Sequence, residues 1–394
     1  MEAIASQAPE SSTPILDRLA PMPPPAKPTR KQILLGVAIG AVGSVIIDTL
    51  AWQAPTLWPG IGIPFLHWLI APWTELRFLS LALSFLVVGV ASVFIHEAGH
   101  VLGGLATGFR FLSMRVGPIV LDRSFRISWY WGPAALSSGL VRMSAARRDH
   151  LRLRAGVFVL AGPAANLLSG GLALVLLPTL SLWSTLALIA AAAAFILSIL
   201  PFRTRVGPSD GSRLWMLWRH RALCERWLIL MKLEAENQEG VLTQARRAEY
   251  VAKAIGVLDS SPETVVAHSF AFLSALSQGR YQEAGELLEI CLRYSSRSSP
   301  PLRHGLISDV VVFQARQRKR ADLAALWLAD LQSTPTLWLR ARAEAALLEA
   351  QGDIAGALRK LDEYEAALLA LPNKAQRDIL LRELPAWRSE LQAA

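Results

Sequence analysis

Apolar residues are spread unevenly along this chain. Residues 33–201 hold several long apolar runs, whereas residues 203–394 mix polar and apolar positions in the manner of a soluble helical protein. A helix needs about 20 apolar residues to cross the hydrocarbon core of a bilayer. Four runs reach that length, at about residues 33–52, 79–106, 155–177 and 182–201. Residues 61–73 are also apolar, but Pro64 and Pro72 interrupt them, and a partly inserted or interfacial segment is expected there. Between the second and third runs the pattern changes. Phe125, Ile127, Trp129 and Trp131 alternate with Arg126, Ser128 and Tyr130, which is the period of a strand, and residues 109–121 read as extended up to a break at Gly117-Pro118. The expected fold is therefore mainly α: a polytopic membrane bundle of about four transmembrane helices over residues 33–215, with a small β insertion at 109–148. A cytosolic α-helical, repeat-like domain is expected over 216–394. Residues 1–32 contain Pro21, Pro23, Pro24, Pro25 and Pro28 and no apolar core after the first methionine. A disordered arm is expected there rather than a cleaved signal peptide.

Charge orients the runs. Lys27, Arg30 and Lys31 precede the first, and only Glu75 and Arg77 lie between the first and second. The segment from Thr107 to Arg154 carries nine arginines, and Arg203 and Arg205 follow the fourth run. Basic loops stay on the cytosolic side. Both termini and the 107–154 segment are thus expected in the cytosol, and the formal net charge of +9 has its explanation in these loops. No aromatic–basic motif of the nucleic-acid-binding kinds is present, so a nucleic-acid partner is not expected. Cys224 and Cys291 have no neighbours at metal-ligand spacing and read as buried small apolar residues. Asp48, in the first run, is either an intramembrane functional carboxylate or one close enough to the outer boundary to reach water.

The chemistry is concentrated at His96-Glu97-Ala98-Gly99-His100, near the cytosolic end of the second run. Helical positions four apart share a face, so both imidazoles can reach one metal ion. The glutamate between them can act on a water that zinc makes acidic near neutral pH, first as general base and then as the acid that protonates the leaving amine. Ionisable groups inside an apolar span are costly unless compensated, which favours a functional reading over two histidines satisfied by neighbouring helices. A catalytic zinc usually takes three protein ligands. Of the remaining residues, Asp210 in Pro208-Ser209-Asp210-Gly211 lies just past the fourth run, at the depth of the histidines, although a Ser-Asp-Gly alone is more often a turn or cap. Gly162-Pro163-Ala164-Ala165-Asn166 falls within the third run. Asn166 is either helix–helix glue or a donor to substrate or to a developing oxyanion.

His96–His100, the Gly-Pro-x-x-Asn ending at Asn166, and the Asp-Gly at Asp210 occur in this order on successive runs. That arrangement resembles the site-2 protease family of intramembrane zinc metalloproteases, over about residues 79–215. The resemblance implies His96, His100 and Asp210 as ligands of one zinc ion, Glu97 as the catalytic base, and a small sheet between the second and third spans that can hold a substrate as an extended strand. It also implies a membrane-anchored protein substrate and, from compactness, a bacterial inner membrane. Ser138-Gly139-Leu140-Val141 is similar to the glycine-rich end of that sheet region. Two departures stand out. Ser198 occupies a position where many members have an asparagine, and a longer spacer carrying Arg203 and Arg205 precedes Asp210.

In the C-terminal half, Leu276 to Ala284 resembles the turn between the helices of a tetratricopeptide repeat. Related registers recur at Lys319–Ala324 and at Gln351–Ala357, where a period of about 34 residues is expected. A glycine at the tight turn and an alanine at the close helix contact are the physical content. Such stacks present a groove to a protein partner; a plain helical bundle is the alternative. For the whole chain the expected function is regulated intramembrane endopeptidase. The alternatives are a catalytically inactive membrane scaffold that binds through its helical repeats, and a membrane metalloprotease whose third ligand is a glutamate.

Overall fold

A computed structural model describes residues 13–25, 75–129, 139–145, 150–202, 208–238, 248–331, 336–371 and 374–393. The first apolar run, the 61–73 segment, Arg203 and Arg205 lie outside them. The chain divides into two compact units, residues 27–224 and residues 1–26 together with 225–394. This boundary falls nine residues beyond the one expected at 215/216, inside a helix rather than in a linker.

The first unit is built on α1 (Glu75–Ala106) and α2 (Leu151–Ile199), with a four-stranded antiparallel sheet between them in the chain. The strands are β1 (Phe109–Val116), β2 (Ile119–Asp122), β3 (Ile127–Trp129) and β4 (Gly139–Ala145), in the order β3-β2-β1-β4. Gly117 and Pro118 form a two-residue turn between β1 and β2, with Val116 opposite Ile119. Gly117 takes φ 58°, the positive φ that such hairpin turns require. The strand expected from Phe125 onward begins later, at Ile127, because Phe125 has φ 56° in the turn whose amides bond to Asp122.

Helix α2 covers both the third and fourth apolar runs in 49 continuous residues. It is not one rod. A Cβ placed on Gly170 would lie 3.3 Å from that of Ala191, whereas a straight helix would separate these positions by about 30 Å. The helix therefore doubles back, and α1 packs on both arms: Gly99 and Gly103 meet Ala161, and the Ser92 hydroxyl donates to the Ala190 carbonyl at 3.4 Å. Leu86–Ala106 and Leu151–Leu176 are long and apolar enough to cross a membrane; the return arm, Leu186–Ile199, is shorter. Leu83, Leu86, Val87 and Phe94 of α1 and Leu167, Leu168, Leu172 and Val175 of α2 are exposed, while Ser84, Ser92, Glu97, His100 and Asn166 are buried. Apolar side chains outside and polar ones inside reverse the soluble-protein pattern.

After α2 comes the short helix α3 (Asp210–Arg219). Arg152 donates to the carbonyls of Leu217 and Trp218 at its end, and Arg154 to those of Thr107 and Gly108 just past α1. Cations at helix C-termini satisfy the last carbonyls and complement the helix dipole.

The second unit is all helical. It takes in α4 (Arg221–Gln238) from Glu225 onward, then α5 (Ala248–Ile255), α6 (Pro262–Ser277), α7 (Tyr281–Tyr294), α8 (Pro300–Val312), α9 (Ala321–Ala329), α10 (Leu337–Ala350), α11 (Ile354–Leu369) and α12 (Lys374–Ala393). Its core includes Leu233, Phe272, Leu288, Leu292, Phe313, Trp327, Leu361 and Leu368, all fully buried. Three turns share one geometry. Gly279, Lys319 and Gly352 have φ of 72°, 53° and 82°, and five residues after each an alanine (Ala284, Ala324, Ala357) is 0% exposed. The Arg280 amide donates to the Ala275 carbonyl and the Asp353 amide to the Leu348 carbonyl, both at 3.0 Å. At the middle turn the Arg320 amide reaches Gln314, one residue further back, because a π-helical turn over Phe313–Gln317 extends α8.

Residues 13–25 depart from the disordered arm expected over 1–32. They pack into this helical unit, with Leu16 fully buried. Proline content marks a segment that will not form a helix, and here it forms a turn that another part of the chain holds. Burial pushes the Cys291 thiol up to about 12, in keeping with an inert apolar role.

Arg226, 3% exposed, binds Asp259 through three nitrogen–oxygen contacts of 3.1–3.2 Å and also donates to Thr264 and Ser261. Burial alone would raise the Asp259 carboxyl; hydrogen bonds from Arg226, Ser261 and Thr264 outweigh it and hold the group well below its usual range. A carboxyl depressed on folding lends stability above its unfolded value of about 3.9 and loses it as pH falls through the folded value. Asp259→Ala leaves Arg226 buried without its partner. Thermal melting of the full-length protein in detergent should show a loss of roughly 2–3 kcal/mol at pH 7, discounted for the partly exposed carboxylate. The difference from the native chain should begin to shrink below about pH 4, where the unfolded carboxyl takes up a proton while the folded one still holds its bridge, and should go on shrinking as pH falls toward the depressed folded value.

Candidate metal centre

His96, Glu97 and His100 lie on the face of α1 turned toward α2, and α2 is cut away to receive them. A Cβ at Gly99 would sit 2.5 Å from the Ala161 carbonyl oxygen, and one at Gly162 would collide with the imidazole of His100. The glycines let the two backbones approach until a ring fits between them. Asp210 arrives from the other end of α2. Ser209 caps α3, its oxygen accepting from the Ser212 amide, and donates to the Leu200 carbonyl at 2.6 Å. Ser212 donates to the Phe202 carbonyl at 2.7 Å, so the first turn of α3 is fastened to the chain leaving α2. A Cβ on Gly211 would strike the Ile199 carbonyl. The Ser-Asp-Gly is thus a helix cap that also brings a carboxylate to the two histidines.

His96 Nε2 stands 3.0 Å from Asp210 Oδ2 and 3.1 Å from His100 Nε2, and His100 Nε2 stands 3.4 Å from the same carboxylate oxygen. Ligand atoms of all three residues lie within 4.8 Å of one another. With neutral imidazoles free to bind at Nε2, these are three lone-pair atoms in contact, an arrangement that a cation relieves. A tetrahedral zinc with ligands at about 2.05 Å would separate them by about 3.3 Å, so spacings of 3.0–3.4 Å fit such an ion. The tautomers agree. His100 Nδ1 donates to the Phe158 carbonyl at 2.9 Å, which leaves Nε2 available.

Asn166, 0% exposed, places its side-chain nitrogen 2.9 Å from His96 Nδ1, and its Oδ1 has no hydrogen-bond partner. For His96 to present a lone pair at Nε2, Nδ1 must carry the proton. The side-chain amide then sits end for end, with Oδ1 accepting from Nδ1–H, the arrangement that orients a histidine for binding through Nε2. The amide is turned to His96, which matches a positioning contact better than a donor open to substrate. Glu97 is 6% exposed and packs on the first residue of β4, where a Cβ on Gly139 would collide with its carboxylate. Ser198 spends its hydroxyl on the Phe195 carbonyl of its own helix at 3.0 Å. The roles of Gly139, Gly162 and Gly211 were not apparent from pattern alone; only the Gly-Pro and Asp-Gly pairings hinted at the last two.

Gly162→Ala should crowd His100, and Asn166→Ala should release His96. Losses of the groups that orient a metal ligand commonly cost about 10–100-fold in affinity. Metal analysis of purified protein across a chelator series should show that drop for each, with helical content unchanged.

Comparison with protein-family models matches residues 84–322 to Peptidase family M50. No curated protein and no solved structure matches. The match covers more than half of the chain and contains every residue of the cluster just described. This chain belongs to peptidase family M50, the site-2 protease family of metallopeptidases.

Proposed function

We propose that the protein is a zinc-dependent intramembrane endopeptidase that cuts membrane-anchored protein substrates. The observation that carries this reading is the convergence of His96, His100 and Asp210 beside the buried Glu97. One zinc ion held by these three residues would supply the charge that makes water nucleophilic near neutral pH and polarises a peptide carbonyl. Glu97 takes the proton of the attacking water and returns it to the departing amide nitrogen. Asn166 and the Phe158 carbonyl hold the rings, and Gly162 and Gly211 keep the ligand approach open.

A helical peptide bond is shielded, so the substrate must be extended where it is cut. Among the described residues β4 pairs only with β1, and its first residue touches Glu97. A substrate strand laid along β4 would run past the base, which supports strand addition at this edge.

The family is one of membrane-embedded enzymes, and two described helices are long and apolar enough to span. Four crossings with both termini in the cytosol are our reading, and the docked N-terminal segment supports it. Residues 13–25 and 225–394 form one unit, so they share a side of the membrane and an even number of crossings separates them. Helix α1 and the two arms of α2 supply three; the run at 33–52 would supply the fourth. The helical unit reads as tetratricopeptide-like on its three matching turns. A bacterial inner membrane is proposed by resemblance.

Glu97→Gln should retain metal and lower cleavage of a membrane-anchored reporter by about 100- to 10,000-fold, the range of general acid–base contributions. A fully active Glu97→Gln protein would sink the mechanism, and purified native protein that holds no zinc would favour the scaffold. In sealed, cytosol-side-out vesicles, added protease should digest both the N-terminal tag and the helical unit; protection of one alone contradicts the parity, and protection of both contradicts the orientation.

A further inference from the structure

The N-terminal segment is held as a peptide ligand is held. Its Ile15 and Leu16 amides donate to Glu289 at 3.0 and 2.8 Å, and Glu289 is 2% exposed. The Leu16 carbonyl accepts from Gln314 Nε2 at 2.8 Å and from Trp327 Nε1 at 3.0 Å, both from fully buried side chains. These three residues come from α7, the π-helical turn and α9. They read both the N–H and the C=O of one residue, Leu16, whatever its side chain. The Leu16 side chain fills the apolar space between them. The rim adds charge complementarity. Arg318 pairs with Asp17, and Arg18 pairs with Asp330 at 2.7 Å while its guanidinium lies 3.6 Å over the Trp327 ring.

Buried polar side chains in a helical core normally bond to the core around them. Here Glu289 and Gln314 direct hydrogen bonds at a segment about 270 residues away in sequence. Gln314 sits in the π turn, a distortion that concentrates at functional sites. The cis occupant does not exhaust the site, because Gln314 Oε1 is buried and has no hydrogen-bond partner. A buried acceptor left unmet is costly, so a ligand bringing one more donor would bind better than the resident segment.

We propose that this groove of the helical unit is a peptide-docking site that the chain fills in cis with Thr13–Pro25. Its trans ligand is a protein segment with two aliphatic residues followed by an acidic and a basic one, as in Ile15-Leu16-Asp17-Arg18. The proposal is independent of the peptidase reading; it gives the helical half a partner chemistry. It also makes the N-terminal segment a tie between the helical unit and the chain leading into the membrane, which a competing partner would release.

The test uses full-length protein in detergent and a fluorescein-labelled peptide of residues 11–25. Leu16→Asp places a charge in the apolar space and should free the cis segment. By anisotropy, the peptide should saturate on this variant and bind the native protein at least tenfold more weakly, because the native groove is occupied. A peptide carrying the same Leu16→Asp change should bind neither. Equal binding to both proteins, equal binding by both peptides, or no saturation on the variant overturns the proposal. Should the variant lose its helical content, the native protein decides alone. Hydrogen exchange at the Ile15 and Leu16 amides should be slow and should accelerate at least tenfold under excess isotope-labelled peptide; unchanged exchange at saturating peptide overturns the proposal equally.

Discussion

Three lone-pair atoms of His96, His100 and Asp210 meet within hydrogen-bonding distance, with Glu97 next along the helix. Without a cation between them they repel or must share protons, and the surrounding structure is arranged around that constraint. The histidines share a face because they are four apart on α1. Their ring room exists because Gly99 and Gly103 bring α1 against Ala161, and Gly162 leaves the space that His100 fills. The carboxylate arrives because α2 turns back on itself and its far end delivers Ser209-Asp210-Gly211 to the level of the histidines. Remove any one of these and the others have no reason to be where they are.

Much of this was legible in the chain. A His-x-x-x-His inside an apolar run carries its own geometry, because helical periodicity fixes which side chains share a face, and the cost of burying such groups gives the reason to read function into them. Asp210 needed a second argument, the charge bias of the loops, to match its depth to the histidines. The Gly117-Pro118 break and the strand period before it located the sheet, although the turn at Phe125 shortened β3. In the helical half, glycine at 279 and 352 and alanine at 284, 324 and 357 marked the turns. The Lys319 turn was weaker in sequence because a lysine there must take a positive φ that glycine takes freely.

What pattern did not reveal depends on contacts between distant residues. Gly139, Gly162 and Gly211 matter for what their missing Cβ would strike, and no local signal records a neighbour from another element. The doubling of α2 was expected as two spans, whereas its 49 residues run on as one helical element from Leu151 to Ile199, so residue count alone misleads. The N-terminal segment is the clearest case. Its prolines and small residues exclude a helix and argue for disorder when only local propensity is weighed. Order comes from turn hydrogen bonds within the segment, such as the Asp17 amide to the Thr13 carbonyl, and from Glu289, Gln314 and Trp327, which meet the backbone groups of Ile15 and Leu16.

The arginines of the 107–154 segment also do more than orient the chain. Arg154 closes the end of α1 and Arg152 the end of α3, so the two helices that carry His96, His100 and Asp210 are both fastened from the first turn of α2. On α3, Trp215 and Trp218 are exposed and Arg219 stacks over both rings. Tryptophan and arginine together favour the headgroup level of a bilayer. Asp210 opens that same short helix, so the carboxylate would stand about one helix length from the headgroup level at most. A site at that depth reconciles two opposed needs. A metallopeptidase site must admit both water and a peptide chain. Yet Glu97 and His100 are buried, and a charge interaction is stronger in such surroundings than in open water.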